Sequence, residues 1–434
     1  MRRLIVLLAI VHAGCATLAS APASTPPAST TAPASAPTAA ASAPVPAPAT
    51  STVEVTPPPA TDAETYLARG RALIAGGDMA AAVIALREAL RRDPELLAAR
   101  TSLGQALYGM GDLEGAVEQL QAVLRARPED VPARLQLATA LMARHDWRAA
   151  RRELEHVLRL EPELAQAHYS LAVVRYTEGD LNGAIDAYRR VLAREPGHVD
   201  ARYNLALTLK LAHRDVEAAP ELLAAAEAGF PKAQYFLGAA YASGLGVERD
   251  LTRAVAWWFR AADYPVPEAA EALAQMRQAA LGRGRRPSAD REPAMQAFRD
   301  FRATLWADFP DLARGDDESV GAALLQQGRV ADAVPMLIRE ASALSEAAQR
   351  LLETLYEEGA SPALAPHDGR ILRYLQGAAA EGQLRPRIEL ARIYGHGLGV
   401  PKDVGRAIAL LKSTPHEDAQ RLLQELSAPS REVR

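Results

Sequence analysis

Four prolines, Pro94, Pro128, Pro162 and Pro196, stand 34 residues apart, and a chain that repeats at that step folds as a stack of like units. The period is carried by more than proline. Counting Ala63 as position 1, position 8 is small (Gly70, Gly104, Ala138, Ala172) and position 16 is acidic (Asp78, Asp112, Asp146, Asp180). Position 20 is always alanine (Ala82, Ala116, Ala150, Ala184), and position 24 is large (Leu86, Leu120, Leu154, Tyr188). Position 15 reads Gly77, Gly111, His145 and Gly179.

This spacing predicts two short amphipathic helices per unit. Glycine at position 15 tolerates the positive φ that ends the first helix, and the following aspartate caps the N–H groups that open the second. Small residues at positions 8 and 20 let the two helices approach closely, and proline closes the unit. A fifth unit begins at Val199 and slips by one residue at Asp215. On these residues the stretch resembles the tetratricopeptide repeat, which implies an all-α fold, an α-solenoid in which stacked hairpins form a right-handed superhelix.

A second pattern starts near Ala226. Tyr241, Gly244-Leu245-Gly246-Val247, Asp250, Ala254, Trp257, Trp258 and Ala261 return as Tyr394, Gly397-Leu398-Gly399-Val400, Asp403 and Ala407, with the aspartate nine residues after the tyrosine each time. These strings resemble the Sel1-like repeat, a relative of the tetratricopeptide unit. A worn copy runs through Ala348, Leu355, Tyr356, Gly359 and Asp368, and Pro335 is expected to kink or shorten a helix in a further pair.

At the N-terminus, Arg2 and Arg3 precede the apolar run Leu4 to Val11, too short to cross a hydrocarbon core that needs roughly 20 residues. Ala13-Gly14-Cys15 resembles the end of a bacterial lipobox, with His12 standing where an aliphatic residue is usual. The resemblance implies acylation of Cys15 and attachment to the periplasmic side of the outer membrane. Cleavage after Ala21 would instead release a soluble periplasmic protein. Residues 16–60 hold eleven of the thirty prolines and one charge, Glu54, so they bury too little apolar surface to order and form a tether. The expected organisation is signal peptide 1–15, tether 16–60, tetratricopeptide array 61–225, Sel1-like repeat 226–278, loop or hinge 279–318, and degenerate and Sel1-like repeats 319–426.

A formal net charge of −4 over 434 residues argues against nucleic acid as a partner, which calls for a basic stripe. Arg283, Arg285, Arg286 and Arg291 are read as a solvated loop ahead of a polyanion patch. The nine histidines show no metal-ligand spacing, no serine lies in a nucleophile elbow, and the paired glycines lack the rest of a phosphate loop. No catalytic residue, cofactor or metal is therefore expected, and the chain is read as a non-enzyme.

The resemblance to tetratricopeptide proteins places positions 2, 5, 9 and 12 of each unit on the concave face, giving Arg71, Gln105, Tyr108, Tyr169, Tyr176, Tyr203 and Lys210 as candidate binding residues. Leu67 and Arg71 replace the lysine and asparagine of the family's carboxylate clamp. Tyr176 and Tyr203 serve equally well as packing between repeats. The implied function is a protein-protein interaction scaffold whose partners are other envelope proteins, resembling scaffolds of exopolysaccharide secretion or of secretin and pilus assembly. The rival is a carbohydrate or peptidoglycan binder stacking sugars on the tyrosines and on Trp257 or Trp258.

Overall fold

The computed structural model describes residues 62–282, 290–312, 319–360, 362–412 and 414–428. The signal segment with Cys15, the tether, and Arg283, Arg285 and Arg286 lie outside these residues. Among the described residues there are 21 α-helices and no strand, and the fold is an all-α solenoid. Two compact units meet in sequence between Arg214 and Asp215.

The first unit holds α1 (Asp62–Ala75), α2 (Met79–Arg92), α3 (Leu97–Gly109), α4 (Leu113–Ala126), α5 (Val131–Ala143), α6 (Trp147–Leu160), α7 (Ala165–Glu178), α8 (Leu181–Arg194) and α9 (Val199–Leu211). Each pair such as α1 and α2 forms a hairpin, and each second helix packs on the next first helix. The first helices are walled in on two sides, so α7 buries residues around most of its circumference, Ala165 through Tyr176. Second helices bury one stripe, such as Ala116, Val117, Leu120 and Val123 of α4.

The repeat positions explain the hairpin. Alanines 82, 116, 150 and 184 are fully buried. A methyl group added at Gly70 would lie 2.5 Å from Leu86 Cγ, and one at Gly104 would lie 2.8 Å from Leu120 Cγ. Position 8 is therefore the socket for position 24, and each buried leucine there contributes roughly 1.5–3 kcal/mol. Gly77, Gly111 and Gly179 turn at φ of 80°, 82° and 87°, and His145 takes the same turn at 63°. Asp78, Asp112 and Asp180 then accept from the N–H groups of Ala81, Gly115 and Gly183. Asp146 departs from the expected cap. Arg144 Nε holds its carboxylate at 2.7 Å, and α6 opens without a side-chain cap.

The second unit holds α10 (Asp215–Glu227), α11 (Pro231–Ser243), α12 (Leu251–Ala262), α13 (Pro267–Ala280), α14 (Arg291–Thr304), α15 (Val320–Gln326), α16 (Val330–Ser342), α17 (Glu346–Glu358), α18 (Gly369–Ala380), α19 (Leu384–His396), α20 (Val404–Leu411) and α21 (Glu417–Ser427). Its two Sel1-like loops share one hydrogen-bond pattern. The Asp250 N–H donates to Tyr241 O at 3.0 Å and the Asp403 N–H to Tyr394 O at 2.8 Å. The same aspartates cap α12 and α20 through the N–H groups of Arg253 and Arg406. The nine-residue interval is thus the span of a loop clamped at both ends.

Two expectations are corrected here. The stretch 279–318 is not all loop or hinge. It contains α14 and a 3-10 turn at Leu305–Asp308, with Phe298 fully buried and Phe301 stacked on Phe259 at 4.6 Å between ring centres. Pro335 does not shorten its helix, because α16 runs the full span from Val330 to Ser342 around it. The structure of the second unit is closed by contacts far apart in sequence. Arg277 makes a two-pronged ion pair with Glu381, and Arg339 one with Asp263.

Candidate functional site

In the first unit the expected concave-face residues divide by exposure. Arg71 and Gln105 are exposed, while Tyr108, Tyr169 and Lys210 are half-buried. Tyr176 and Tyr203 are only 7% and 8% exposed, so both act as wall more than as open surface. The reason at Tyr169 is visible in its contacts. Asn204 Nδ2 donates to its hydroxyl at 3.0 Å, and its ring stacks on His198 and meets the edge of Tyr188. This tyrosine joins the fourth and fifth repeats. Arg71 Nε donates to Ser102 Oγ at 3.3 Å, a bond from α1 to α3. Exposed Gln105, Pro132 and Gln166 and half-buried Thr101, Tyr108, Leu135, Thr139 and Met142 remain as a mixed surface in the middle repeats.

The second unit carries a cleft of about 810 Å³ between α14 and helices α17, α19 and α21. Its chemistry centres on carboxylates. Glu353 receives Arg385 Nε at 2.9 Å on both oxygens, and Glu389 receives Arg392 at 2.8 and 3.0 Å. Arg392 is shared with Glu357 as well, so its charge is divided between two carboxylates. Burial first, and then the facing charge of Glu353, push the Glu389 carboxyl up to about 8, against the pull of Arg385. Burial also raises Glu353. Among the described residues its lining holds no serine, threonine, cysteine, lysine or tyrosine, and its titratable groups are the carboxylates, three arginines and His416.

Sequence reasoning did not reach this cleft. Its residues come from helices of separate repeats and from α14, where the sequence reads as loop. Trp257 and Trp258 are both buried, with the Trp258 indole donating to Tyr235 O and Arg260 lying 4.7 Å over the Trp257 ring. Neither ring presents a free face to a sugar. Among the described residues no group of three His, Cys, Asp or Glu could hold a metal ion, and no helix is long and apolar enough to cross a membrane.

Glycine spacing, capped turns and a clamped nine-residue loop define a helical-repeat protein. The tetratricopeptide repeat model matches residues 67–131, 135–198 and 175–233, and the Sel1 repeat model matches 231–263 and 388–413. The chain is a tetratricopeptide and Sel1 repeat protein, and as such a protein-protein interaction scaffold. Among solved structures, a MamA crystal structure is 25% identical, covering 40% of this chain and 95% of its own, with a TM-score of 0.37. MamA from Desulfovibrio magneticus RS-1 is 22% identical, covering 40% and 97%, also at 0.37. YrrB, described as a tetratricopeptide protein with an unusual peptide-binding site, is 23% identical, covering 38% and 86%, at 0.35. No curated protein matches the chain.

Proposed function

We propose that this chain is a non-enzymatic docking scaffold of the bacterial cell envelope, exported, acylated at Cys15 and held at the periplasmic side of the outer membrane. In this reading residues 16–60 are a tether that spans roughly 35–40 Å as a coil and up to about 140 Å extended, which lets the repeats reach partner proteins. The first unit's concave face takes an extended or helical segment of a partner in an exopolysaccharide-secretion or secretin and pilus-assembly machine. The observation that carries the docking part is the open surface at Arg71, Gln105 and Tyr108, where side chains of mixed polarity stay exposed or half-exposed while the repeat-defining residues at positions 8, 20 and 24 are buried. The envelope part is supported by Arg2, Arg3, the Leu4 to Val11 run and Ala13-Gly14-Cys15.

Metabolic labelling with a fatty-acid analogue tests the anchor. Wild type should take up label and Cys15→Ser should not; equal labelling removes Cys15 as the lipid site, and an unlabelled wild type removes the anchor.

A further inference from the structure

The repeats of the first unit can be compared with one another, and the third breaks the pattern at one edge. Position 15 is His145 at a φ of 63°, as it is His213 at 58° in the fifth repeat, where the first, second and fourth repeats have glycine. Position 17 is Trp147 where the others carry Met79, Leu113 and Leu181. Position 21 is buried aliphatic in Val83, Val117 and Ile185, yet here it is Arg151. Arg151 Nε is shielded from water, makes no hydrogen bond and meets Glu178 of α7 at 3.4 Å. Positions 18 and 22, uncharged or acidic in Ala80, Ile84, Glu114, Glu118, Asn182 and Asp186, are Arg148 and Arg152.

Two of these departures cost something: left-handed backbone on a residue with a side chain, and two cations one turn apart on one helix. Local rules broken together at one place mark a site under a functional demand. The place is concave. His145, Trp147, Arg148, Arg151, Arg152 and Glu178 line a hollow of about 810 Å³, and the His145 and Trp147 rings lie 5.4 Å apart. Arg148 and Arg152 are exposed, and among the described residues neither has an ion pair.

We propose that this turn edge of the third repeat docks an acidic segment of a protein partner, its carboxylates on Arg148 and Arg152 and an apolar or aromatic side chain on the Trp147 ring. This rests on the docking reading above but uses a surface separate from the concave face. Two unpaired guanidiniums beside an indole match a short acidic stretch with one hydrophobic anchor. The two carboxylates in the lining, Asp146 and Glu178, are paired with Arg144 and Arg151, and a polyanion without hydrophobic groups would leave the Trp147 ring unused.

The test uses the full chain and a fluorescein-labelled dodecapeptide rich in Glu and Asp with one central Phe, followed by anisotropy. Wild type should bind, more weakly as salt rises. Arg148→Glu with Arg152→Glu should weaken binding about tenfold or more, and Trp147→Leu, the residue of the flanking repeats, about threefold or more. Circular dichroism confirms that the variants fold. Gln121→Ala, exposed on α4 and outside the hollow, should leave peptide binding unchanged. No binding by wild type, equal binding by the charge-reversed variant, or preference for an oligouronate of equal charge would each overturn the proposal. If the peptide fails while partner contacts persist at Gln105, the edge site falls and the concave-face reading stands.

Discussion

At the scale of single residues, two carboxylates with the same place in the repeat have different jobs. Asp112 caps α4, whereas Asp146 is drawn away from α6 by Arg144. Asp112→Ala should therefore cost about 1 kcal/mol in urea denaturation followed by circular dichroism, and Asp146→Ala less than half of that, since an exposed pair contributes little. Glu389 makes a pH prediction. Its carboxyl ordinarily titrates near 4.5 and sits at about 8 in the fold, so between those values the folded state binds the extra proton. Stability of the second unit should then fall as pH rises from about 4.5 to 8, with no contribution to the slope below that window. Glu389→Gln, which mimics the protonated form, should flatten the slope; an unchanged slope would mean that the carboxyl is ionised throughout.

At the scale of helices, the 34-residue step foretold the hairpins of the first unit because positions 8, 15, 16, 20 and 24 each meet a local requirement that sequence displays. Helix α14 was missed for a physical reason. The glycines, arginines and Pro287 ahead of it read as a breaker, yet Ala294, Ala297, Phe298, Phe301 and Leu305 behind them keep helical spacing and are all buried. Phe298→Ala should accordingly destabilise the second unit by about 3 kcal/mol, where a loop residue would change little. Gly104→Val, which forces a side chain into Leu120, should cost roughly 1–3 kcal/mol in the first unit. The diverted cap at Asp146 is not legible in the sequence, and the sequence leaves packing and open surface equal at Tyr176 and Tyr203, since each depends on which neighbour the side chain meets. The acidic cleft was hidden because Glu353 and Glu389 belong to different hairpins.

At the scale of the whole molecule, the account is of repeated hairpins whose buried residues set the fold and whose exposed residues are left for partners. The described residues offer mixed-polarity surfaces on the first unit and a cleft of paired carboxylates on the second. The sharpest test is photocrosslinking in cells with a photoreactive amino acid placed at Gln105 on α3 or at Gln121, exposed on α4. The account predicts discrete adducts to other proteins from position 105 and few or none from position 121. Adducts of equal pattern from both, or none from 105, would contradict a docking role for the concave face.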